Sequence, residues 1–437
     1  MKILIFGSSG DLAMRKLFPA LSKIDLDGVE IIGYARTKYD TEFSDVLQEV
    51  GNYTPEFISK VTYIRGAYSN LSKLKDVVDS ETIVYFSVPP SVYTVLLAEI
   101  SKLEYKMAAV EKPYGEDIRC FQMMEEFDLS RTVFIDHYLL KPMVVSAPRI
   151  ICEYGIRKVL DNKHVKSVEI VSKEAIGGEG RHYFDKNGII KDIMQNHMAE
   201  LLAIVASDNE CTHAGASRAA EICARMDVFA ACTINTEKCV YGQYEDYNKE
   251  LHNESTTETF CMLPVYINKP RWSGIPFIMI AGKGMNEKRT EISFEFKKDA
   301  YQKCMSLISL QDQSTYKTIH VNQISQIKLI FNVYPRCEVF LKVDVGEHVF
   351  EYVICNKKSV EEIMQQNYGA YNDHEIVFDC LVRNKEFSNV SSNEADLLWK
   401  LFDPVLSISK GPMLFYYSKG IDIPIEAEEM IKKIKKE

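Results

Sequence analysis

The chain has 437 residues, of which 46% are hydrophobic and 26% are charged, and this composition excludes disorder as its main state. A formal net charge of -10 argues against general electrostatic binding of nucleic acid, which needs a concentrated basic surface. No apolar run reaches the roughly 18 to 20 residues of a membrane span. Met1 is followed by a strand-like run and not by a signal peptide, so we expect a cytoplasmic protein without a membrane partner.

The eleven cysteines are scattered along the chain and include no C-x-x-C pair. We therefore interpret them as reduced thiols rather than as a disulfide framework or a zinc site, and we infer no metal. At roughly 100–200 residues per domain, the length of the chain predicts two domains.

Residues 1–141 alternate short apolar runs with helix-like stretches, as the successive β-α units of a parallel sheet require. This alternation predicts a Rossmann-type, doubly wound α/β domain. The predicted strands are Lys2–Phe6, Glu30–Tyr34, Val61–Ile64, Thr82–Ser87, Met107–Val110 and Thr132–Ile135.

Residues 142–437 have a different pattern, in which several strands follow one another without intervening helices. This pattern predicts an α+β domain with a large, mostly antiparallel sheet, which a helix around Asp192–Ser207 crosses. The charged end, Ile425–Glu437, is predicted to form a solvated amphipathic helix. The predicted strands include Val165–Val171, Lys328–Val333, Val339–Val345 and Val349–Cys355.

A loop rich in small residues joins the first strand to the first helix. Its residues are Gly7, Ser8, Ser9, Gly10, Asp11 and Leu12. Small residues at such a junction let backbone N–H groups approach a phosphate at the helix N-terminus. The loop reads G-x-x-G-x-x-A rather than the commoner G-x-G-x-x-G, so an ordinary tight turn is the alternative. Its position at the first strand-helix junction favours dinucleotide binding.

Arg36 follows the second strand, where an NAD-specific fold usually places an acidic residue against the adenosine ribose. An arginine at this position suits the 2′-phosphate of NADP. A surface arginine without a ligand is the alternative, but its place in the topology favours NADP as the cofactor.

Six motifs in combination make the chain resemble the glucose-6-phosphate dehydrogenase family over nearly its whole length. The motifs are Gly7–Lys16, Gly33–Arg36, Glu111–Gly115, Asp136–Leu139, Met194–His197 and Arg271–Phe277. The resemblance implies oxidation of D-glucose 6-phosphate to 6-phospho-D-glucono-1,5-lactone with reduction of NADP, the entry step of the oxidative pentose phosphate pathway. It also implies that residues 142–437 bind the substrate and form a homodimer or a dimer of dimers.

The resemblance assigns catalytic roles to His197, Asp136 and Lys112. Removal of a hydride requires removal of the hydroxyl proton as well, and a base with a near-neutral pKa suits that task. In the family, the residue matching His197 is this base, the one matching Asp136 orients it, and the one matching Lys112 lies near both sugar and nicotinamide. From the apolar pattern around it, His197 would instead be a core histidine.

Further binding residues are also implied by the resemblance. His137, Tyr138 and Lys141 match residues that bind the substrate phosphate, and Tyr93 matches a nucleotide-contacting tyrosine. The sugar contacts match residues that are otherwise ordinary charges in the sequence, namely Lys112, Glu174, Asp192, Lys283 and Lys288. For Tyr93, an exposed aromatic at a helix start is the alternative. The sequence leaves open whether the Lys112-Pro113 bond is cis.

Several positions depart from the family pattern. Phe134 stands where an arginine is common, and Leu140 and Pro142 replace a glycine and a glutamate on either side of Lys141. Because proline restricts the residue before it, we expect Lys141 to be extended and Pro142 to start a helix. Further departures are Lys288 at a family arginine, Tyr334 at a family glutamine, and Ile280, Ser293 and Asn332 where a second, structural NADP would meet arginines. We expect that second site to be absent.

Two other functions compete with this interpretation. A sugar oxidoreductase of the glucose-fructose oxidoreductase type shares a Rossmann domain and the lysine motif, but it should lack Asp136-His137-Tyr138 followed by Asn196-His197. A catalytically idle NADP-binding protein is the second alternative, and the joint presence of Lys112, Asp136 and His197 speaks against it.

Overall fold

The computed structural model describes residues 1–178, 182–208, 217–308, 321–409 and 414–437. Within these residues the chain forms two compact units. The first unit contains Met1–Leu140 and Ala370–Asp396, and the second contains Lys141–Gly369 and Leu397–Glu437. The first unit holds a parallel sheet and the second a mostly antiparallel one, so the predicted fold class is confirmed. The sequence analysis did not foresee that residues 370–396 pack with the first unit.

The first unit is built on a parallel sheet with the strand order β3-β2-β1-β4-β5-β6. Its strands are β1 (Lys2–Phe6), β2 (Glu30–Ala35), β3 (Val61–Arg65), β4 (Thr82–Phe86), β5 (Met107–Glu111) and β6 (Thr132–Ile135). Each strand lies within one residue of its predicted bounds. Consecutive residues of β1 and β4 are buried, as expected where both faces of a parallel sheet are covered.

Two helices of the first unit, Pro55–Ser59 and Ile118–Glu125, start at side-chain N-caps. Thr54 Oγ1 accepts a hydrogen bond from Phe57 N at 3.2 Å, and Asp117 Oδ1 accepts one from Cys120 N at 2.8 Å. The α-helices are Phe18–Leu21, Phe43–Val50, Pro55–Ser59, Tyr93–Ile100, Ile118–Glu125 and Asp373–Arg383, with a π-helix at Ala13–Leu17 and 3₁₀ turns at Ser72–Leu74, Pro90–Val92 and His137–Leu140. A further helix, Ser392–Ser409, begins in this unit and ends in the other.

The second unit is built on a large sheet with the strand order β15-β14-β13-β12-β7-β11-β10-β9-β16, and β8 pairs with β10. The strands are β7 (Val165–Glu174), β8 (Cys232–Ile234), β9 (Val240–Tyr244), β10 (Phe260–Ile267), β11 (Pro276–Lys283), β12 (Arg289–Phe296), β13 (Ile324–Tyr334), β14 (Glu338–Val345), β15 (His348–Cys355) and β16 (Phe415–Tyr417). Most neighbours are antiparallel, but β7 and β11 are parallel, as are β9 and β16. The four strands predicted in this region all lie within observed strands.

Helices of the second unit include the one predicted around Asp192–Ser207. It consists of a π-helix, Ile190–Met198, continued by an α-helix, Ala199–Ala206. The other α-helices are Pro142–Glu153, His182–Ile189, Arg218–Phe229, Tyr247–Leu251, Tyr301–Met305, Lys357–Tyr368 and Ile425–Ile434, with 3₁₀ turns at Ile156–Lys158, Thr236–Lys238, Lys298–Ala300 and Val321–Gln323. Among the helices in the described part of the chain, none has the length and hydropathy of a membrane span.

The C-terminal helix, Ile425–Ile434, is amphipathic as predicted, and its apolar face is buried. Just beyond it, the Lys435 ammonium lies 2.6 Å from carboxylate oxygens of both Glu169 and Glu295. Burial alone would raise the pKa of Glu295, but hydrogen bonds from Lys166 and Lys435 outweigh it and hold this pKa at about 2. Lys435 therefore links the residues after the C-terminal helix to the sheet by ion pairs with two carboxylates.

We expect Lys435→Met to destabilise the protein by roughly 2–4 kcal/mol, because it leaves two largely buried carboxylates without a shared cation. The matched control is Lys432→Met, which removes an exposed pair with Glu428 and should cost less than about 1 kcal/mol. Thermal unfolding of both variants checks the difference, and equal melting temperatures would contradict it.

Candidate active site

Four parallel strands of the first unit, β1, β4, β5 and β6, end side by side at one edge of the sheet. Five predicted site residues follow directly on these strand ends. They are Gly7, Lys112, Asp136, His137 and Tyr138. The carboxyl edge of a parallel sheet is where α/β folds bind ligands, so the topology brings these residues to one edge.

Gly7 packs closely against the end of the neighbouring strand, β4, at this edge. Its φ is +79°, and a Cβ there would lie 1.9 Å from the carbonyl oxygen of Ser87. Its N–H donates to the carbonyl oxygen of Tyr34 at 2.9 Å. Because any side chain would collide with backbone, the first turn of the loop requires glycine.

The rest of the loop is held by its own hydrogen bonds. Gly10 N donates to Gly7 O at 2.8 Å, and Ser9 Oγ lies 2.8 Å from the hydroxyl of Thr37. Exposed Asp11, just before the helix whose N-cap position is Leu12, pairs with exposed Arg15 at 2.6 Å. Ser8 is buried, whereas Gly10 and Leu12 are half-buried. The small residues therefore form a narrow cradle beside a helix N-terminus, which fits a pyrophosphate.

Arg36 follows β2 and lines a cavity of about 270 Å³. The other lining residues are Arg65, Gly66, Ala67 and Lys73. The Arg36 guanidinium carbon lies 5.3 Å from the ring centroid of Tyr68. Burial raises the pKa of Tyr68, against the opposing effects of Arg36 and of the Gly7 backbone. Tyr68, which the sequence analysis missed, thus lies between the glycine loop and the basic cavity.

Tyr93 is buried, with 1% of its surface exposed, so the alternative of an exposed helix-start aromatic is wrong. Its hydroxyl donates to the carbonyl oxygen of Glu111 at 2.8 Å. Glu111 ends β5 immediately before half-buried Lys112, and the Lys112-Pro113 peptide is cis. Tyr93 therefore fixes the backbone from which Lys112 extends.

Asp136 is almost fully buried, with 1% of its surface exposed. Its Oδ1 accepts a hydrogen bond from Tyr138 N at 2.8 Å, and its carbonyl accepts one from Leu139 N at 3.1 Å. Asp136 thus caps the 3₁₀ turn that follows β6. The rings of His137 and Tyr138 are half-buried and meet edge to face, with centroids 5.2 Å apart.

The second unit brings together three of the predicted sugar-binding residues. Lys283 is 6% exposed, and its ammonium forms ion pairs with Glu174 and, at 3.3 Å, with Asp192 Oδ2. The ammonium also lies 4.8 Å from the ring centroid of Phe184. A buried ammonium requires counter-charges, and here it holds two carboxylates at fixed positions.

The π-helix Ile190–Met198 carries both Asp192 and His197. His197 is 1% exposed, and its backbone N–H donates to Asn196 Oδ1 at 2.8 Å. Asn196 in turn donates from Nδ2 to the carbonyl oxygen of Lys191 at 2.7 Å. The side chain of Asn196 thus links two turns of the helix that positions the proposed base.

The start of this helix rests on Glu258, a buried carboxyl group that the sequence analysis missed. Glu258 accepts a hydrogen bond from Ile190 N at 3.3 Å, and its own carbonyl accepts one from Ile189 N at 3.1 Å. Gly188, with φ at +65°, packs so closely that a Cβ would lie 2.2 Å from the Glu258 carboxylate. Burial raises the pKa of Glu258 to about 7.

Lys141 and Lys288 are more exposed than Lys283 and have different neighbours. Lys141 is half-buried in extended backbone before the helix that Pro142 starts, as predicted. Lys288 is exposed, and its ammonium lies 5.0 Å from the ring centroid of Tyr334 rather than in the Lys283 ion pairs. The structure therefore groups Lys283 with Glu174 and Asp192 and gives Lys288 an aromatic neighbour.

Comparison with known proteins identifies the family. The profile described as "Glucose-6-phosphate dehydrogenase, NAD binding domain" matches residues 4–146, and "Glucose-6-phosphate dehydrogenase, C-terminal domain" matches residues 155–437. The chain belongs to the glucose-6-phosphate dehydrogenase family. The resemblance inferred from the sequence is thus confirmed, and the first unit contains a domain for a nicotinamide dinucleotide.

Individual members of the glucose-6-phosphate dehydrogenase family match all or nearly all of the chain. It is 63% identical over 436 residues to the glucose-6-phosphate 1-dehydrogenase of Encephalitozoon cuniculi, covering 100% of both chains. It is 29% identical to that of Aspergillus niger, covering 92% of this chain and 85% of the other. A glucose-6-phosphate dehydrogenase solved in complex with glucose 6-phosphate has a TM-score of 0.78 at 25% identity, with 99% and 97% of the two chains covered.

We expect Glu258 to make stability fall as pH rises. The unfolded chain releases this proton near pH 4.5, whereas the folded state holds it up to about pH 7. Between these two pKa values the folded state binds more protons than the unfolded chain. The stabilisation is therefore complete below the unfolded-state pKa and is lost as the pH rises to the folded-state pKa. The loss is roughly 3 kcal/mol.

Urea unfolding at pH 5 and pH 8 tests this expectation. Glu258→Gln keeps the acceptor for Ile190 N–H without the titrating group, so its stability relative to the parent should be higher at pH 8 than at pH 5. Glu254→Gln, at an exposed position in the same loop, should show no such change. A constant difference between the parent and Glu258→Gln at both pH values would exclude Glu258 as the cause.

Proposed function

We propose that this chain oxidises D-glucose 6-phosphate to 6-phospho-D-glucono-1,5-lactone with NADP, at the entry to the oxidative pentose phosphate pathway. The observation that carries the proposal is the placing of Asp192 and His197 on one buried helix, with Asp192 paired to the buried ammonium of Lys283. A base and fixed hydrogen-bonding groups are what the oxidation of a sugar hydroxyl needs. Family membership supplies the context in which this arrangement is interpreted.

The nucleotide residues of the first unit fit NADP. Gly7 to Leu12 would hold the pyrophosphate at the helix N-terminus. Arg36 would bind the 2′-phosphate of NADP. Arg65 and Lys73 line the same cavity and add positive charge, which would favour NADP over NAD because NAD has no 2′-phosphate. Tyr93 would act indirectly, by its hydrogen bond to the backbone at the end of β5. When bound, NADP accepts the hydride from C1 of the sugar.

His197 is the group proposed to take the proton from the C1 hydroxyl. An imidazole suits this role because its ordinary pKa lies near neutral pH. Asp136 is proposed to orient the imidazole and to stabilise its charged form. Asp136 belongs to the first unit and His197 to the second, so their pairing stays a prediction from the family resemblance.

The substrate phosphate is proposed to bind to His137, Tyr138 and Lys141, which combine positive charge with hydrogen-bond donors. The sugar hydroxyls would donate to the carboxylates of Glu174 and Asp192. Three lysines complete the proposed set of sugar contacts. They are Lys112, Lys283 and Lys288, the last of which is exposed. Free glucose lacks the phosphate, so it should bind more weakly.

Assembly is proposed from the family resemblance, and location from a relative. A homodimer or a dimer of dimers is proposed for the second unit, whose large sheet offers a broad face. A potato (Solanum tuberosum) relative, 27% identical and covering 99% of this chain, is a cytoplasmic isoform. We propose the same compartment here.

Substitution of Arg36 tests the choice of nucleotide. We expect Arg36→Ala to reduce the preference for NADP over NAD by roughly ten- to hundredfold, since a charge-assisted bond to the 2′-phosphate is lost. Arg119→Ala, an exposed arginine of the same unit, is the matched control and should keep the preference. Dissociation constants for both nucleotides measure it, and full discrimination by Arg36→Ala would show that another group reads the phosphate.

Substitution of His197 tests the reaction itself. NADPH formation from glucose 6-phosphate should fall by roughly 10²–10⁴-fold in His197→Asn, the usual contribution of a positioned base. NADP affinity should remain, because the proposed nucleotide residues belong to the other unit. A core histidine would instead give a protein with a lower melting temperature and normal turnover per folded molecule. Normal turnover in a well-folded variant would leave Lys112 as the next candidate for the proton acceptor.

A further inference from the structure

The segment Ala370–Asp396, which returns to the first unit, places a histidine beside the predicted site. His374 lies in the first turn of its helix and is 7% exposed. This turn is fixed by a capping box, in which the Asn372 side chain accepts from the Glu375 backbone N–H and Asn372 N donates to Glu375 Oε2 at 2.9 Å. Asn372 Nδ2 also donates to Glu375 Oε1 at 3.1 Å. The backbone of His374 is therefore held in one position.

One ring nitrogen of His374 contacts the strand that leads into Lys112. Nε2 of His374 lies 3.2 Å from Glu111 Oε1, and the hydroxyl of Tyr85 donates to the same oxygen at 2.5 Å. Burial, and after it the Glu111 carboxylate, holds the pKa of Tyr85 well above its ordinary value, so Tyr85 stays a donor. Glu111 is itself 6% exposed, and its buried carboxylate needs both donors.

The face of the same imidazole packs on His137. The two ring centroids are 5.9 Å apart and the ring planes are inclined by 21°. His137 and Glu111 lie at the carboxyl ends of neighbouring parallel strands, β6 and β5. A single side chain from a distant segment thus touches both strand ends, one with its face and the other with its edge.

We propose that His374 is a positioning residue for the sugar phosphate: its ring supports His137, and its Nε2 fixes the strand end that carries Lys112. This proposal rests on the proposed function, in which His137 meets the phosphate and Lys112 meets the sugar. An apolar side chain of similar volume would fill the same space but would leave Glu111 with one donor fewer. Because the two roles fall on different parts of one side chain, two substitutions can separate them.

His374→Gln removes the ring and keeps a side-chain N–H for Glu111. We expect its KM for glucose 6-phosphate to rise roughly three- to tenfold, the factor that an aromatic pair is worth, with the KM for free glucose unchanged. His374→Phe keeps the ring and removes the donor. We expect its kcat to fall roughly fivefold with both sugars, because Lys112 serves both.

The controls separate this proposal from the proposed function. NADP binding by equilibrium dialysis checks that each variant is folded, and His348→Gln, at an exposed position of β15, should match the parent throughout. Should His374→Phe lose NADP binding, Glu111→Leu, which removes the acceptor, repeats its test from the other partner and should lower kcat in the same way. If the unmodified protein fails to oxidise glucose 6-phosphate, the proposed function falls.

Given an active parent, three outcomes overturn the role of His374. The first is a KM that rises equally for both sugars in His374→Gln, or does not rise at all. The second is a parental kcat in both His374→Phe and Glu111→Leu. The third is loss of NADP binding in both His374 variants, which would make His374 a requirement of the fold rather than of the site.

Discussion

Parallel strand pairing is the constraint on which the proposed site residues of each unit depend. It sets the carboxyl ends of neighbouring strands at the same edge, whereas antiparallel pairing alternates them. In the first unit every neighbouring pair is parallel, so the residues after β1, β4, β5 and β6 collect at one edge. In the second unit β7 and β11 pair in parallel, which sets Glu174 opposite Lys283. An antiparallel pair at this place would send the end of β11 to the far edge.

The buried ammonium of Lys283 turns this alignment into a rigid site. Removing an ammonium from water costs several kcal/mol, so Lys283 is stable only with its counter-charges in place. The carboxylates of Glu174 and Asp192 are thereby fixed before any ligand arrives. Ionised carboxylates only accept hydrogen bonds, and sugar hydroxyls are donors that match them. In the proposed function, the charge that stabilises this cluster is therefore also what selects a polyhydroxy ligand.

Local sequence pattern was sufficient for the strands of the first unit and for the positions of the residues that follow their ends. Strand bounds in the first unit were predicted to within one residue because apolar runs bounded by turn residues are a local signal. The residues that escaped prediction act through long-range contacts, as with Glu258 on Ile190, 68 positions away, and His374 on Glu111, 263 positions away. In the sequence each is an ordinary polar residue. Only the tertiary fold, including the return of residues 370–396, gives them a partner.

The π-helix Ile190–Met198 adds a second spacing to the α-helical periodicity, which indicated a core histidine at position 197, where the side chain is indeed buried. In an α-helix, residues five apart point about 140° away from each other, so Asp192 and His197 would lie on different faces. A π-helix bonds each residue to the fifth one along, which stacks residues of this spacing on one face. The Asn196 side chain, bonded to the carbonyl of Lys191 five positions earlier, follows the same spacing. The same sequence therefore has apolar residues at the α-helical spacing and polar residues five positions apart. The proposed chemistry depends on one such polar pair, Asp192 and His197.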